Sequence, residues 1–386
     1  MAQLKALHPA ATGPAPALPA TAPLLAVDAL SLKKVLNSRL RNGSAPGPSG
    51  WTGELLAVLG TDASCLEALA ILVRDIINGL LPDGARDFLM ASVLIPVAKP
   101  DGGVRPIAIP ECLYKLASLY TLQQVRDALP AIFEPIQFGV GVPGGAERAL
   151  HCLQAGIECL GKGTVLLKTD FRNAFNERRR SDILSVLFQH ESLRSLWRIA
   201  HWAYRSPSSL LVLDGGTLCE TILSQEGVKQ GDVLGSLLFS LSVQGFYKQC
   251  IADAKGVHAV AVADDLVLVG PSESVFKAFD KLVDSTRRSG LVIRPKKCSV
   301  LWPSVDNVPD TLSSLAAERK IKVCKGSMEV FGAPVGCDSS FANFLSGYLK
   351  SQSRFFELLL ALTFQCKWPF CFCVSVVFLV LDSYPE

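Results

Sequence analysis

The sequence predicts an α+β fold in which short buried strands form a sheet that helices cover. The chain has 386 residues, of which 49% are apolar and 19% are charged, so it can bury a large core. Short uncharged runs rich in Val, Leu and Ala recur along the chain, and longer segments with helical apolar spacing lie between them. This alternation is typical of a layered α+β arrangement.

Charge and cysteine content narrow the class of protein. Lys and Arg total 38 against 35 Asp and Glu, and a formal charge of +3 is too small to indicate nucleic-acid binding by bulk charge, so any such contact depends on local clusters. The 12 Cys are scattered and follow no secretory signal, which predicts reduced thiols in an intracellular protein. None of the 5 His has metal-site spacing, so structural zinc is not expected.

The N-terminal part is predicted to comprise a tail and a helical extension. Residues 1–30 are rich in Ala and Pro with almost no charge, which predicts a disordered tail. Residues 31–90 have amphipathic spacing and are predicted to be helical, with one helix over Cys65–Leu80. The turn formers of Asn42–Gly50 predict a loop between two of these helices.

A β-hairpin is predicted after the helical extension. Ala91–Val97 has the composition of a strand, and Asp101, Gly102 and Gly103 are typical of a tight hairpin turn.

The second half of the chain alternates strands and helices. The predicted elements are a buried strand over Thr164–Thr169, helices over Asp182–Tyr204 and Ser236–Cys250, and two strands over Ala259–Ala263 and Leu266–Val269.

Carboxylates lie where these strands end. Asp264 and Asp265 join two uncharged strands, and Asp170 follows an independent buried strand. A surface turn explains the pair taken alone, but all three carboxylates would converge if the strands lie side by side. Such a cluster has raised proton affinity unless a cation neutralises it, and oxygen-only ligands select Mg²⁺. The chemistry indicated is metal-assisted phosphoryl transfer.

Several segments resemble, in order, the motifs of reverse transcriptases, most closely those of non-LTR (LINE-type) retrotransposons. The segments are SAPGPSGW (44–51), KPDGGVRP (99–106), LKTDFRNAFN (167–176), QGDVLGSLLF (230–239), VADD (262–265), GLVIRPKKC (290–298) and VFGAPVG (330–336).

The resemblance implies a right-hand polymerase fold with an antiparallel palm sheet backed by helices. Residues 91–160 would form the fingers and residues 161–336 the palm, within a reverse transcriptase domain of about 80–336. Residues 337–386 would be a truncated thumb and an apolar tail, which is too short for a membrane span, so no membrane partner is expected.

The resemblance also implies a site for two Mg²⁺ ions, with Mn²⁺ as a substitute. Asp170 and Asp264 would be the principal ligands, Asp265 would add charge and weaker coordination, and Phe171 would complete the set.

Residues at the family's nucleotide-binding positions are Lys99, Arg105, Phe171, Phe175, Gln230 and Gly231. Lys99 and Arg105 would close over the triphosphate, although charges beside a turn are commonly just solvated. The ring of Phe175 would leave no room for a 2′-hydroxyl, and a core role is the alternative. Gly231 would let the backbone approach template or nucleotide closely, and an ordinary helix start is the alternative.

Lys297 matches the Lys that the family uses near the leaving pyrophosphate, where a protonated amine would act as general acid. Its neighbours Arg294 and Lys296 leave a solvated basic patch as the alternative.

The function implied is RNA-directed DNA synthesis, with an RNA template, a DNA or RNA primer and dNTPs as partners. A catalytically decayed nucleic-acid-binding remnant and a group II intron-like reverse transcriptase stay open as alternatives. Template choice, oligomeric state and the compartment, nucleus or cytoplasm, are not predicted.

Overall fold

The structure is a computed structural model that describes residues 1–40, 43–99, 102–161, 163–304, 306–337 and 339–358. Strands and helices alternate along these ranges, and the predicted mixed fold class is confirmed. The helices are α1 (Ala2–Ala6), α2 (Ala29–Arg39), α3 (Gly53–Leu59), α4 (Ala63–Asn78), α5 (Asp83–Met90), α6 (Cys112–Val125), α7 (Leu129–Phe133), α8 (Gly145–Cys159), α9 (Ala174–Glu177), α10 (Arg180–Phe188), α11 (Trp197–Tyr204), α12 (Gly235–Ile251), α13 (Ser272–Arg288), α14 (Asp310–Glu318) and α15 (Ser339–Ser351).

The strands form three sheets. They are β1 (Ser92–Ala98), β2 (Val104–Pro110), β3 (Thr164–Lys168), β4 (Ser208–Asp214), β5 (Thr217–Ser224), β6 (His258–Val262), β7 (Asp265–Pro271), β8 (Ser299–Trp302), β9 (Lys322–Lys325), β10 (Ser327–Val330) and β11 (Ala333–Gly336). The orders are β6-β7-β3-β8-β9, β2-β1-β4-β5 and β10-β11.

The five-stranded sheet lies at the centre, and its strands β3 and β7 are buried on both faces. Strand β3 pairs antiparallel with both β7 and β8, and only β8 and β9 run parallel. Successive residues of β3 alternate between two hydrophobic clusters, with Leu167 in the larger cluster and Leu166 in the smaller one beneath α8. This double burial explains why β3 and β7 carry charge only at their ends, whereas the edge strand β9 carries Lys322 and Lys325.

The N-terminal helices share one core with the helices that cover the central sheet. Leu32 of α2, Val73 of α4 and Phe239 of α12 belong to the same hydrophobic cluster, and each is fully buried or nearly so. The predicted helical extension is therefore packed into the body of the protein, and the boundaries predicted at 90 and 160 separate no distinct cores.

The prediction of a disordered tail over residues 1–30 is wrong. Helix α1 covers one face of the four-stranded sheet, and Ala22 is buried in the main core. Asn78 exchanges hydrogen bonds with the backbone of Leu25, and Arg198 donates to the carbonyls of Ala22 and Pro23. These partners are distant in sequence, so the composition of the tail alone does not show them.

The helix predicted over Asp182–Tyr204 is interrupted. Helix α10 ends at Phe188, a 3₁₀ helix spans Glu191–Leu196, and α11 follows. The indole of Trp197 donates to the carbonyl of Leu187 and so satisfies the end of α10. The apolar spacing continues across the break because all three pieces bury residues in the same core.

The remaining predicted elements lie within a few residues of those observed. The predicted hairpin is formed by β1 and β2, paired from Ser92 with Pro110 to Ala98 with Val104, although Asp101 of its turn lies outside the described residues. The apolar tail lies mostly beyond residue 358, also outside them. Among the helices described, none combines the length and apolar character that a membrane crossing requires.

Candidate active site

Asp170, Asp264 and Asp265 meet at one edge of the central sheet. Strand β3 ends at Lys168, which pairs with Val267 of β7, and the amide of Thr169 continues the pairing to the carbonyl of Leu266. The β6–β7 turn holds Asp264 and Asp265 at that same edge because neighbouring antiparallel strands end and begin together. The structure therefore brings the three predicted carboxylates into one cavity.

The cavity has a volume of about 490 Å³ and is bounded by segments from distant parts of the chain. Its lining residues are Leu7, Lys99, Val104, Arg105, Pro106, Asp170, Phe171, Arg172, Asn173, Ala174, Phe175, Gln230, Gly231, Ser236, Asp264, Asp265 and Arg294. Every predicted site residue except Lys297 is among them.

The acidic edge is electrostatically strained. Burial, followed by the neighbouring charges of Asp265 and Asp170, raises the pKa of Asp264 to about 6. Burial also raises the pKa of Asp265, and Asp170 adds to the shift. Asp264 is half-buried and Asp265 is exposed, but the protein around them limits their hydration. A cation at this edge would relieve the repulsion.

Arg294 is the residue that neutralises Asp170. Its Nε lies 2.6 Å from Oδ2 of Asp170, and its Nη2 donates to the carbonyl of Phe171. The amide of Arg294 also donates to the carbonyl of Asp170, so backbone pairing as well as charge places the guanidinium there. From the sequence alone, Arg294 is interpreted only as part of a solvated basic patch. Its position directly after the apolar run Leu291–Ile293 is the one local feature that could have indicated a place at the sheet edge.

The donor set suits a hard divalent cation. The carboxylates of Asp170, Asp264 and Asp265 line the cavity together with Phe171, and carboxylate ligands favour Mg²⁺ or Mn²⁺. Across the part of the chain that the structure describes, no group of three or more Asp, Glu, His or Cys side chains is already arranged to hold an ion. An ion would have to compete with Arg294 for the carboxylate of Asp170.

Two aromatic residues of this segment have different environments. Phe171 is 4% exposed and belongs to the core, whereas Phe175 is half-buried and lines the cavity. The ring of Phe175 stacks on Phe239 of α12 with centroids 4.5 Å apart and an interplanar angle of 15°. The stacking holds the ring as a rigid wall of the cavity.

Lys99 and Arg105 supply positive charge to the cavity that contains the three carboxylates. The amide of Lys99 donates to the carbonyl of Gly103, and Arg105 pairs with Val97 across the hairpin. The side chains extend from one stiff two-stranded arm into the cavity. An anionic ligand with a bound cation would be complementary to both sets of charges.

Comparison with known proteins identifies the family of this chain. A family model described as reverse transcriptase (RNA-dependent DNA polymerase) matches residues 97–330. The chain belongs to the reverse transcriptase family. All the segments that line the cavity, except Leu7, lie within the matched range.

Two retrotransposable-element proteins are similar to this reverse transcriptase chain. The SLACS 132 kDa protein of Trypanosoma brucei gambiense is 31% identical over 278 residues, which cover 72% of this chain and 23% of that protein. The retrovirus-related Pol polyprotein from the type-2 element R2DM of Drosophila melanogaster is 24% identical over 279 residues, which cover 68% and 25%. The chain thus spans about a quarter of these curated relatives, and the predicted resemblance to non-LTR reverse transcriptases is confirmed.

Glycine at position 231 of this reverse transcriptase is required by a contact within the protein, and its predicted role beside template or nucleotide stays a prediction. Its φ is +104°, and a Cβ there would lie 2.4 Å from the carbonyl oxygen of Ala108. The amide of Ala108 donates to the carbonyl of Gln230 at 2.7 Å. The missing side chain therefore permits close contact with β2, and the turn of Gln230 and Gly231 precedes helix α12, which begins at Gly235.

A buried polar network supports this turn. The carboxylate of Asp232 accepts from the hydroxyl of Tyr204 at 2.5 Å, from that of Tyr114 at 3.1 Å and from the amide of Leu234 at 2.9 Å.

Lys229, which precedes this turn, is buried and has its pKa lowered to about 8 by burial. Its ammonium group donates to the carbonyl of Met90 and to the hydroxyl of Ser92. The network joins α6, α11 and β1 to the turn that lines the cavity.

Lys297 does not line the cavity. It lies exposed in a 3₁₀ helix over Pro295–Lys297, and Arg294, three residues earlier, faces the acids instead. The role of Lys297 as a general acid stays a prediction. Leu7 and Asn173 also line the cavity and were not predicted, because no local pattern marks either residue as part of a site.

The raised pKa of Asp264 predicts a pH-dependent stability cost. The folded-state pKa of about 6 exceeds the ordinary value, so the ionised carboxylate destabilises the fold above about pH 6, and the penalty disappears below about pH 4. In metal-free buffer, Asp264→Asn should therefore stabilise the protein by about 1–3 kcal/mol at pH 8 and by almost nothing at pH 4. Urea unfolding at both pH values measures this difference.

Mg²⁺ provides the complementary arm of that test. The ion should raise the free energy of unfolding of the wild type at pH 8 by about 2.7 kcal/mol at a concentration one hundred times its Kd, and should affect Asp264→Asn far less. If the free energies of unfolding of the wild type and Asp264→Asn differ by the same amount at pH 4 and pH 8, the ionised carboxylate of Asp264 does not destabilise the fold.

Proposed function

We propose that this chain extends a primer 3′-hydroxyl with deoxynucleotides on an RNA template. The observation that carries the proposal is the single cavity in which Asp170, Asp264 and Asp265 lie with Lys99 and Arg105. Three carboxylates suit divalent cations, and the two basic side chains suit a triphosphate. Family membership supports RNA-templated synthesis, while the template and primer of this chain are part of the proposal.

The divalent ions would be held by the carboxylates of Asp170, Asp264 and Asp265, with the main-chain oxygen of Phe171. When bound, the ions supply charge neutralisation at the attacking hydroxyl and at the leaving pyrophosphate. Lys99 and Arg105 would bind the phosphates and orient the α-phosphate toward the primer. Arg294 would hold Asp170 in place before substrate enters, because its backbone pairing keeps the guanidinium beside that carboxylate.

Phe175 would select deoxyribose. Its ring is fixed against Phe239 and forms a wall of the cavity, so a sugar seated against it has no space for a 2′-hydroxyl. Phe175→Val should therefore raise ribonucleotide incorporation by about 10- to 200-fold relative to deoxynucleotide incorporation, the range expected for adding or removing small groups in a pocket. Unchanged sugar discrimination would refute this role without affecting the proposed polymerase activity.

The proposal is tested by primer extension with the whole chain. A homopolymer RNA template with a DNA primer, the matching dNTP and Mg²⁺ should give extension that a chelator abolishes and that Mn²⁺ also supports. The Phe175→Val measurement uses the same assay with the matching ribonucleotide. Absence of metal-dependent extension would instead favour the decayed nucleic-acid-binding remnant, which is recognised by RNA binding without synthesis.

The division of the chain remains part of the proposal. We place the fingers at residues 91–160, where the β1–β2 hairpin lies, and the palm at residues 161–336, where the central sheet lies. The β10–β11 hairpin closes the palm, and residues after 336 would begin the thumb.

A further inference from the structure

The N-terminal segment reaches the candidate nucleotide site. Leu4 of α1 is 5% exposed and packs in a small cluster with Leu94 and Leu210 on one face of the four-stranded sheet. Lys5 pairs with Glu220 of the same sheet at 2.7 Å, in an exposed ion pair. The helix is therefore docked mainly by the burial of one leucine.

This docking places Leu7 at the wall of the cavity. The carbonyl oxygen of Leu7 accepts a hydrogen bond from Nδ2 of Asn173 at 2.8 Å, and both residues line the cavity. Asn173 lies three residues after Asp170 and two before Phe175, and it has a left-handed φ of +47°. Its Oδ1 accepts from Asn176, so its amide is held at both ends.

A second contact fixes the segment beyond Leu7. The amide and hydroxyl of Thr12 donate to Oε1 of Glu226, at 2.7 and 2.6 Å. Glu226 is buried, and its other oxygen accepts from the amide of Arg180. Contacts at Leu4 and Thr12 thus hold the intervening chain against the segment that carries Asn173.

We propose that the segment from Leu4 to Thr12 is a positioning element of the nucleotide site, acting through the hydrogen bond from Asn173 to Leu7. The inference rests on the proposed function. The segment holds the turn of Asn173 in its left-handed conformation, between the carboxylate of Asp170 and the ring of Phe175. Release of the segment would weaken nucleotide binding equally in the ground and transition states, which raises KM for the dNTP and leaves kcat unchanged.

The test compares two substitutions on α1 that add the same charge. Leu4→Glu places a carboxylate in the apolar contact and should release the helix, whereas Gln3→Glu changes an exposed side chain of the same helix. Leu4→Glu should raise KM for the dNTP about three- to tenfold at unchanged kcat, the effect of losing about one hydrogen bond, and Gln3→Glu should change it less than twofold.

Asn173→Gly tests whether the effect passes through the amide. Glycine accepts the left-handed φ, so this variant removes the side chain without adding backbone strain. It should raise KM as much as Leu4→Glu does, and the double variant should show no further increase. The wild-type melting temperature should be nearly retained by Asn173→Gly, which separates positioning from unfolding.

The effects of the two substitutions on KM decide whether the segment acts through Asn173. Additive effects of Leu4→Glu and Asn173→Gly on KM, or an unchanged KM in Leu4→Glu, would overturn the inference. A lowered KM in Leu4→Glu would also overturn it and would show that the segment obstructs the cavity. Since each result is a ratio to an active wild type, failure here is distinct from failure of the proposed function, in which the wild type itself extends no primer.

Discussion

Asp264→Asn should reduce primer extension about a thousandfold or more while the protein stays folded. The carboxylate lies at the edge where β6 and β7 meet, lines the cavity with Asp170 and Asp265, and has a pKa raised to about 6. An amide of the same shape cannot supply the negative charge that holds the ions. Because the substitution also removes charge repulsion, lost activity should accompany unchanged or increased stability in metal-free buffer.

Steady-state extension rates and urea unfolding measure these two quantities. Asp253→Asn is the matched control, since that carboxylate is exposed and pairs with Lys281 in a surface ion pair. The control should keep activity and stability close to wild type. Extension by Asp264→Asn at the wild-type rate would reject the assignment of this acidic edge as the catalytic centre.

Asp232→Ala should destabilise the protein by about 3–5 kcal/mol, because it breaks a buried charged network. The change leaves the hydroxyls of Tyr114 and Tyr204 without this acceptor and removes a negative charge that favours the protonated form of buried Lys229. Asp232→Asn keeps an acceptor oxygen and should cost less, about 1–2 kcal/mol. Urea unfolding followed by circular dichroism compares the three proteins.

Asp284→Ala is the control for this series. Asp284 is exposed on α13, so its replacement should change stability by less than about 0.5 kcal/mol. If the free energy of unfolding of Asp232→Ala lies within about 1 kcal/mol of the wild-type value, the network does not stabilise the fold in the way that its hydrogen bonds indicate. Activity should fall with Asp232→Ala as well, because the turn of Gln230 and Gly231 depends on the same network.

The cavity is lined by segments that lie far apart in the sequence. The β1–β2 hairpin, the segment after β3, the turn before α12 and the β6–β7 turn each contribute part of its lining. Each segment is fixed by packing behind it, as the stack of Phe175 on Phe239 and the contact of Gly231 with Ala108 illustrate. Such support from behind is what keeps charged groups in a defined geometry.

Local sequence determined the parts of this protein that depend on short-range pattern. The central strands were predictable because burial on both faces excludes charge from them, and the carboxylates at their ends stood out against those uncharged runs. Family motifs then indicated the cavity residues from Lys99 to Asp265, and the resemblance agrees with the family match. The helices predicted over Cys65–Leu80 and Ser236–Cys250 lie within a few residues of α4 and α12, whereas the one predicted over Asp182–Tyr204 is broken although the apolar spacing continues through the break.

Only the tertiary structure decided the features that depend on contacts between distant residues. The ordered N-terminal segment, the pairing of Arg294 with Asp170, and the hydrogen bond from Asn173 to Leu7 each join positions more than 100 residues apart. The close contact of Gly231 with Ala108 of β2 likewise joins positions far apart in the sequence. Composition and periodicity report which face of a segment is buried, but not which distant group satisfies a given hydrogen bond, because that choice is made when the chain packs.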